Sequence, residues 1–243
     1  MRDGKPVQFS RKVQQKPLSV LKALIALGGK RINEEEIMDG LWPEAEGDMA
    51  QQSFATALHR LRQLLGNERA IQRQEGQLTL DDRFCWTDVW AFEAILEQVE
   101  VIWKKGQVEK AIELIEKGAE MYKGPFLARE MMQPWTISMR ERLRSKFLRN
   151  VEKMGKYWQQ GSQWEKAVDC YLKGLEVDDL AEEFYQGLMN GYHKLGRKTD
   201  VLAVYQRYRK TLSAVPGLEP SPKMEAICRS LTENVRVQSS NRK

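Results

Sequence analysis

Histidine and cysteine are scarce in this chain, which has two histidines and three cysteines among 243 residues. So few histidines exclude His-rich zinc sites and most acid–base pairs of histidines. Cys85, Cys170 and Cys228 are far apart in the sequence, which favours a reducing compartment over a disulfide framework. A phosphate-cradling glycine loop and a Gly-x-Ser-x-Gly elbow are also missing. We therefore expect no catalytic site, no metal and no cofactor.

Long hydrophobic runs are missing as well. A membrane helix needs roughly 18 apolar residues, whereas the best candidate, Leu18–Leu27, is short and interrupted by Lys22. No secretory leader follows Met1. Apolar residues make up 42% and charged residues 30% of the chain, which predicts a packed core. We expect a cytoplasmic protein that contacts neither a membrane nor a small-molecule substrate.

Charge is distributed unevenly around a modest net value of +5. Residues 1–31 carry eight Lys/Arg and one Asp, whereas residues 32–50 carry seven Asp/Glu and no Lys/Arg. Residues 140–156 form a basic row with seven Lys/Arg against two Glu. A basic stretch can hold phosphate groups, but a solvated helix face is the more frequent reason, and we favour that interpretation for the row.

Residues 31–80 predict two capped helices followed by a hairpin. Asn33 is a suitable cap for the first helix, and Pro43 ends it. Asp48 repeats the capping signal for a second helix, over residues 49–65, which Gly66 terminates. The strands Ile71–Gln74 and Gln77–Leu80 then alternate about a two-residue turn, which predicts a small hairpin.

The second helix has one apolar face and one polar face. Phe54, Leu58, Leu61 and Leu65 are spaced by four, three and four residues, which predicts a stripe facing the core. The polar side chains off this stripe are Gln52, Thr56, His59, Arg60 and Gln63. Arg and Gln can bind base edges, and Thr and Arg can reach phosphates. By itself this pattern favours an ordinary amphipathic helix over a DNA-reading one.

Four segments together resemble a known family: Leu41-Trp42-Pro43, His59–Arg62, Gly76–Leu80, and Asp88 with Phe92. They are similar to the OmpR/PhoB-type winged helix, particularly its version in the bacterial transcriptional activator (antibiotic-regulatory, AfsR-like) family. The resemblance implies that helix 49–65 enters the major groove of double-stranded DNA and that the hairpin is a wing. The residues it implies at the DNA are Gln52, Thr56, His59, Arg60, Gln63 and, in the wing, Arg73.

The resemblance also implies that the loop with Glu44 and Glu46 contacts RNA polymerase; the alternative is a solvated acidic loop. Residues Gly4–Phe9 predict an edge strand of the same domain.

Beyond Asp88 the sequence predicts helices alone, with an internal repeat. Trp103–Ile112 resembles Trp158–Val168, and Tyr171 lies 34 positions before Tyr205 in a related setting. A period near 34 is typical of tetratricopeptide repeats, whose helix pairs stack into an array with a concave side. The aromatic residues at helical spacing are expected to pack between helices rather than to form a ligand cage.

Further landmarks resemble the bacterial transcriptional activator domain of the same family: Tyr122–Leu127, Trp135, Arg140 with Leu143, Asp178–Leu180 with Glu182, and Gly217–Pro222. The implied fold is mainly α. A winged helix-turn-helix with a small β hairpin or sheet is expected over residues 1–87. An all-α tetratricopeptide-like repeat domain is expected over residues 88–238, and a disordered tail over 239–243.

The combined expectation is a sequence-specific DNA-binding transcriptional activator, as the output part of a larger regulator. Its helical array would mediate self-association, as in a homodimer on DNA, or contact with a partner such as RNA polymerase. The alternative is a non-catalytic helical scaffold whose winged helix binds protein. The net charge of +1 over residues 1–87, from 13 Lys/Arg minus 12 Asp/Glu, favours this alternative.

Overall fold

The computed structural model describes residues 15–240, with side chains up to residue 231. The edge strand expected at residues 4–9 lies outside the described residues. This described part of the chain is mainly helical with one small sheet. Its helices are α1 (Gln15–Ala26), α2 (Glu34–Leu41), α3 (Gly47–Leu65), α4 (Asp88–Lys104), α5 (Val108–Met121), α6 (Ile137–Gln160), α7 (Trp164–Val177), α8 (Glu182–Lys194), α9 (Lys198–Ser213) and α10 (Pro222–Ser240). Its strands are β1 (Ile32–Asn33), β2 (Ile71–Gln74) and β3 (Gln77–Leu80).

The chain forms two compact units. The first contains the chain up to Ala94 together with Lys123–Leu143, and the second contains Ile95–Tyr122 and the chain from Arg144 onward. The first unit is therefore discontinuous in sequence and extends past the boundary that we predicted after residue 87. Of the predicted tail 239–243, the first two residues end α10 and the rest lie outside the described residues.

The first unit packs α1, α2 and α3 with an antiparallel sheet of order β1-β3-β2. Leu24, Ile37, Phe54 and Leu78 are among the buried side chains of its core. The predicted hairpin is confirmed: Gln74 pairs with Gln77, and both turn residues between them have positive φ, as a two-residue turn of type I′ requires.

The two predicted helix caps differ in outcome. The Asn33 carboxamide oxygen accepts a hydrogen bond of 3.0 Å from the Glu35 amide, so this cap is confirmed. The cap at Asp48 is wrong, because α3 begins two residues before residue 49, at Gly47, and Glu46 precedes it without a side-chain hydrogen bond. Asp48 lies instead in the first turn of α3, where its carboxylate favours the positive end of the helix dipole.

The segment Lys123–Leu143 packs on the remainder of the first unit, to which it belongs. Trp135 lies against its core, and a Cβ atom added to Gly40 would be only 3.1 Å from the indole Cδ1 atom. Lys22 of α1 forms an ion pair with Glu130. Arg140 fixes the loop from within, since it donates to the carbonyl of Phe126 and to the Thr136 hydroxyl. A landmark of the sequence resemblance, Arg140, thus has a structural role.

The second unit is built from stacked helices: α7 packs on α8, α8 packs on α9, and α10 contacts both α8 and α9. Tyr171, Phe184, Tyr185 and Tyr208 are buried, as expected for aromatic residues that pack between helices. The tryptophans differ. Trp103, Trp158 and Trp164 are half-buried, and a lysine lies over each indole ring, 4.2 Å from the centroid in the case of Trp158. Over residues 15–240, no helix combines the length and the apolar character that would let it cross a bilayer.

Candidate nucleic-acid interface

The exposed face of α3 carries five polar side chains of the predicted set: Gln52, Thr56, His59, Arg60 and Gln63. The opposite face is buried through Phe54, Ala57, Leu58 and Leu61. The predicted division of this helix into a core face and a solvent face is therefore confirmed. Leu65, at the end of the predicted stripe, is only partly buried against the core.

Hydrogen bonds leave most of this face available for a ligand. The Thr56 hydroxyl donates to the Gln52 carbonyl at 2.9 Å, and the Gln63 amide lies 3.0 Å from His59 Nε2. The Arg60 guanidinium makes no hydrogen bond or ion pair with any residue of the described part of the chain. Its five donors and its charge are consequently uncommitted.

A surface hollow of about 370 Å³ lies beside this face. It is lined by Lys16, Pro17, Trp42, Gln52, Ser53, Thr56, Ala57 and Arg60. Lys16 comes from the first turn of α1, where its ammonium donates to the Leu41 carbonyl at 3.0 Å and lies 4.9 Å from the Trp42 ring centroid. Two cations, the Ser53 hydroxyl and the Gln52 amide suit a phosphate group, which takes charge-assisted hydrogen bonds from such donors.

Two of the residues that supply a cation or a hydroxyl to this hollow, Lys16 and Ser53, were not among the residues predicted from sequence. Ser53 was accessible to prediction, because it lies three residues before Thr56 and seven before Arg60, on one side of the helix. Lys16 could not be predicted from local spacing, because 36 positions separate it from Gln52 and only the folded unit brings α1 and α3 together.

The hairpin presents a different situation. Arg73 forms a bidentate ion pair with Glu34, at 2.5 and 2.7 Å, and this carboxylate is only 8% exposed. The hydrogen bond and the charge of Glu34 raise the pKa of Arg73. Arg31 is the second cation near β3; its guanidinium donates to the neutral Gln77 amide oxygen at 3.2 Å, so its charge is not compensated there. Arg31 was missed by sequence reasoning because it precedes both helices of the pattern.

Removal of Arg73 tests whether this residue supports the fold. We expect Arg73→Ala to lower the free energy of unfolding by about 1–3 kcal/mol, because it leaves the Glu34 carboxylate buried without its partner, while the half-exposed arginine keeps the effect below that of a fully buried pair. Glu34→Gln/Arg73→Ala should recover part of this loss. Urea unfolding of the three chains measures both values. If the single and the double variant lose the same free energy of unfolding, the ion pair between Arg73 and Glu34 does not have the structural role that we assign to it.

The acidic loop between α2 and α3 exposes both predicted residues, Glu44 and Glu46. A second hollow, of about 630 Å³, adjoins the loop, and its acidic lining comes from Glu35, Asp39 and Asp48 instead. Within residues 15–240, no group of three or more His, Cys, Asp or Glu is placed to hold a metal ion.

The basic row on α6 is largely engaged in internal contacts. Its ion pairs are Arg142 with Glu93, Arg144 with Asp178, Lys153 with Glu100, and Lys156 with Glu152. Lys153 lowers the pKa of Glu100 through its hydrogen bond. These ion pairs indicate that the basic row is a helix face that binds other parts of the chain. Because its charges are largely compensated, α3 is the better candidate for a nucleic-acid surface.

The chain is 25% identical over 231 residues to the regulatory protein AfsR of Streptomyces griseus and 24% identical over 227 residues to that of Streptomyces coelicolor. These matches cover 92% and 93% of the chain but only 23% and 22% of the relatives, so the chain spans about a quarter of their length.

The fold is similar to that of Mycobacterium tuberculosis EmbR, solved in complex with a low-affinity phosphopeptide, with a TM-score of 0.75 and 19% identity. This likeness covers 96% of the chain and 62% of the EmbR chain. The family model of the bacterial transcriptional activator domain matches residues 87–232, which is more than half of the 243 residues. The chain therefore belongs to the bacterial transcriptional activator domain family.

Proposed function

We propose that this chain is the DNA-binding part of a transcriptional activator and is not itself an enzyme. Its first unit acts as a winged helix, with α3 in the major groove and the β2–β3 hairpin as the wing. The observation that carries this proposal is the exposed face of α3, where an uncommitted Arg60 lies among side chains that can read base edges. An α-helix fits the major groove, and Arg and Gln bind guanine and adenine edges in bidentate fashion.

Phosphate contacts would come from the hollow beside α3. Lys16 of α1 and Arg60 of α3 supply charge, and Ser53 supplies a hydroxyl. Such contacts fix the register of a protein on the duplex without carrying sequence information. Arg31 extends the cationic surface toward the hairpin, whereas Arg73 contributes less to DNA binding because Glu34 neutralises it.

Salt dependence tests the DNA contact directly. We expect binding of a selected operator to weaken steeply as salt rises, since each neutralised phosphate releases counterions. Lys16→Ala should weaken binding to operator and non-operator DNA alike and reduce the slope of log K against log salt by about 1. Fluorescence anisotropy at four or five salt concentrations measures this slope. A slope unchanged from that of the unmodified chain would remove Lys16 from the interface.

The acidic loop and the second unit are the proposed protein contacts. Glu44 and Glu46 are exposed and adjoin a hollow lined by further carboxylates, which suits a basic surface such as one on RNA polymerase. The stacked helices of the second unit would serve self-association on DNA or partner binding.

Two observations favour a second candidate function, a scaffold whose first unit docks protein. The hairpin cation Arg73 is paired internally, and three acidic side chains line the second hollow. Failure to shift any DNA fragment at low salt, together with retained binding to polymerase, would select this alternative.

A further inference from the structure

One loop of the first unit holds three large apolar side chains in solvent. Met131, Met132 and Ile137 are 53%, 92% and 50% exposed, and we call the segment 128–137, which carries them, the methionine loop. Single exposed apolar residues are common on protein surfaces, but several in one loop form a patch of the kind that marks a protein contact. Methionine adapts to irregular surfaces and is enriched where proteins bind one another.

The backbone of the methionine loop is fixed by hydrogen bonds. Thr136 is fully buried, and its hydroxyl donates to the Gln133 carbonyl at 2.8 Å. The Arg140 guanidinium donates to the same hydroxyl at 2.6 Å and to the Met131 carbonyl at 3.4 Å. The loop is therefore organised before any partner binds, which lowers the entropic cost of a contact through its exposed side chains.

The second hollow, beside the loop between α2 and α3, has the complementary character. Its volume of about 630 Å³ is in the range of pockets that enclose whole ligands, so it has room for two methionine side chains. Its apolar lining consists of Met38, Trp42, Pro43, Ala45 and Ala50.

The charges of the two surfaces are opposite. The side chains of Glu35, Asp39 and Asp48 in the second hollow make no ion pair or hydrogen bond with any residue that the structure describes. Arg129 of the methionine loop is exposed and equally without a partner in the described chain, whereas Lys22 neutralises Glu130. An apolar patch with a free cation thus faces solvent on the same unit as an apolar hollow with three free carboxylates.

The methionine loop and the second hollow lie on opposite sides of α2. Successive residues of a helix turn by about 100°, so Glu35, Met38 and Asp39 share one side of α2 and Gly40 lies about 150° from its centre. Trp135 of the methionine loop packs at Gly40, where an added Cβ atom would be 3.1 Å from the indole. A contact between the loop and the hollow would therefore join two copies of the chain.

We propose that the methionine loop of one copy docks into the second hollow of another. Met131 and Met132 are buried against the apolar lining around Trp42, and Arg129 is attracted to the carboxylates at the rim. The inference rests on the proposed self-association of the chain and gives it a surface in the first unit. A contact between two different surfaces is heterologous, so a pair of copies leaves one hollow free for polymerase.

Photo-cross-linking of the full chain in solution, without DNA, tests this contact. Covalent capture is suitable because a contact through one loop is expected to be transient. Benzoylphenylalanine in place of Met132 occupies a position that is 92% exposed, so the fold should be retained. We expect a cross-linked dimer in which position 132 is joined to residues 35–51. A mixture of isotope-labelled and unlabelled chains, analysed by mass spectrometry, shows that the joined peptides come from different copies.

Sedimentation equilibrium of substituted chains measures the strength of the contact. Met132→Glu should weaken the dimer by about 10-fold or more, because it brings a carboxylate into an acidic, apolar hollow. Arg129→Glu and Asp39→Arg should each weaken it about 2- to 5-fold, and a chain with both substitutions should recover most of the loss. Val101→Glu, at a 53% exposed position of α4, is the matched control and should dimerise normally.

Several results would overturn the proposal. These are the absence of a cross-linked dimer, cross-links from position 132 that lie only outside residues 35–51, and equal dimerisation of Met132→Glu and Val101→Glu. A cross-link that forms only after RNA polymerase is added would assign the methionine loop to polymerase and would also refute docking between copies. Met132→Glu should bind a single selected operator normally, so the outcome is separate from that of the DNA proposal.

Discussion

The double substitution His59→Ala/Arg60→Ala should weaken binding to a selected operator by about 2–5 kcal/mol, the range for loss of one or two specific base contacts. Arg60 is exposed and has no partner among the described residues, so its removal costs the fold little. His59 lies one residue earlier on the same exposed face, where it contacts Gln63. The measurement is quantitative footprinting at one fixed salt concentration.

Arg207→Ala is the matched control for this loss, because it removes one exposed arginine of α9, which likewise has no partner in the described chain. It should leave operator affinity within twofold, about 0.4 kcal/mol. If the double variant protects the operator as well as the control does, α3 does not read DNA through these residues. Equal losses on operator and random DNA would place them at phosphates instead of bases.

Glu182→Ala should produce the largest loss of stability in the second unit, about 2–4 kcal/mol, because several donors lose one shared acceptor. The carboxylate accepts hydrogen bonds of 2.6 Å from Tyr208, 2.6 Å from Ser221 and 2.7 Å from Gln186. These bonds join α8, α9 and the start of α10. Urea unfolding followed by circular dichroism measures the change in the free energy of unfolding.

The adjacent Glu183→Ala is the control: Glu183 is exposed and makes no side-chain hydrogen bond within the described residues, so the change should stay within about 0.5 kcal/mol.

The stability that Glu182 contributes should depend on pH. Burial by itself raises the pKa of this carboxyl, but the hydrogen bonds that it accepts lower the pKa by more, so the pKa in the folded chain is below its usual value. Its stabilisation is therefore present above the unfolded-state pKa and lost as pH falls through the folded-state pKa. The stability difference between the unmodified chain and Glu182→Gln should shrink in acid. A stability difference that stays constant to low pH would contradict the stabilising role of the ionised Glu182 carboxylate.

Local spacing in the sequence was sufficient to predict the two faces of α3, the Asn33 cap and the hairpin about Glu75-Gly76. Each depends on residues within one or two helical turns or within one tight turn. The start of α3 was misjudged because Asp48 is an equally good residue for a cap and for a first helical turn.

The contacts that give the site its character join distant residues and have no local signal. Arg73 and Glu34 are 39 positions apart, as are Ser221 and Glu182. The sequence showed Arg73 as the only basic residue of the hairpin, but it did not show that the buried Glu34 carboxylate would form an ion pair with it. The landmarks at Glu182 and Gly217–Pro222 were recognised by resemblance, and the hydrogen bond from Ser221 supplies their physical reason.

The return of Lys123–Leu143 to the first unit determines where a fragment of this chain can end. A fragment that ended between Ala94 and Lys123 would lack Trp135, whose indole lies so close to Gly40 that a Cβ atom added there would be 3.1 Å from it. We therefore expect such a fragment to be less stable than one that extends to Leu143.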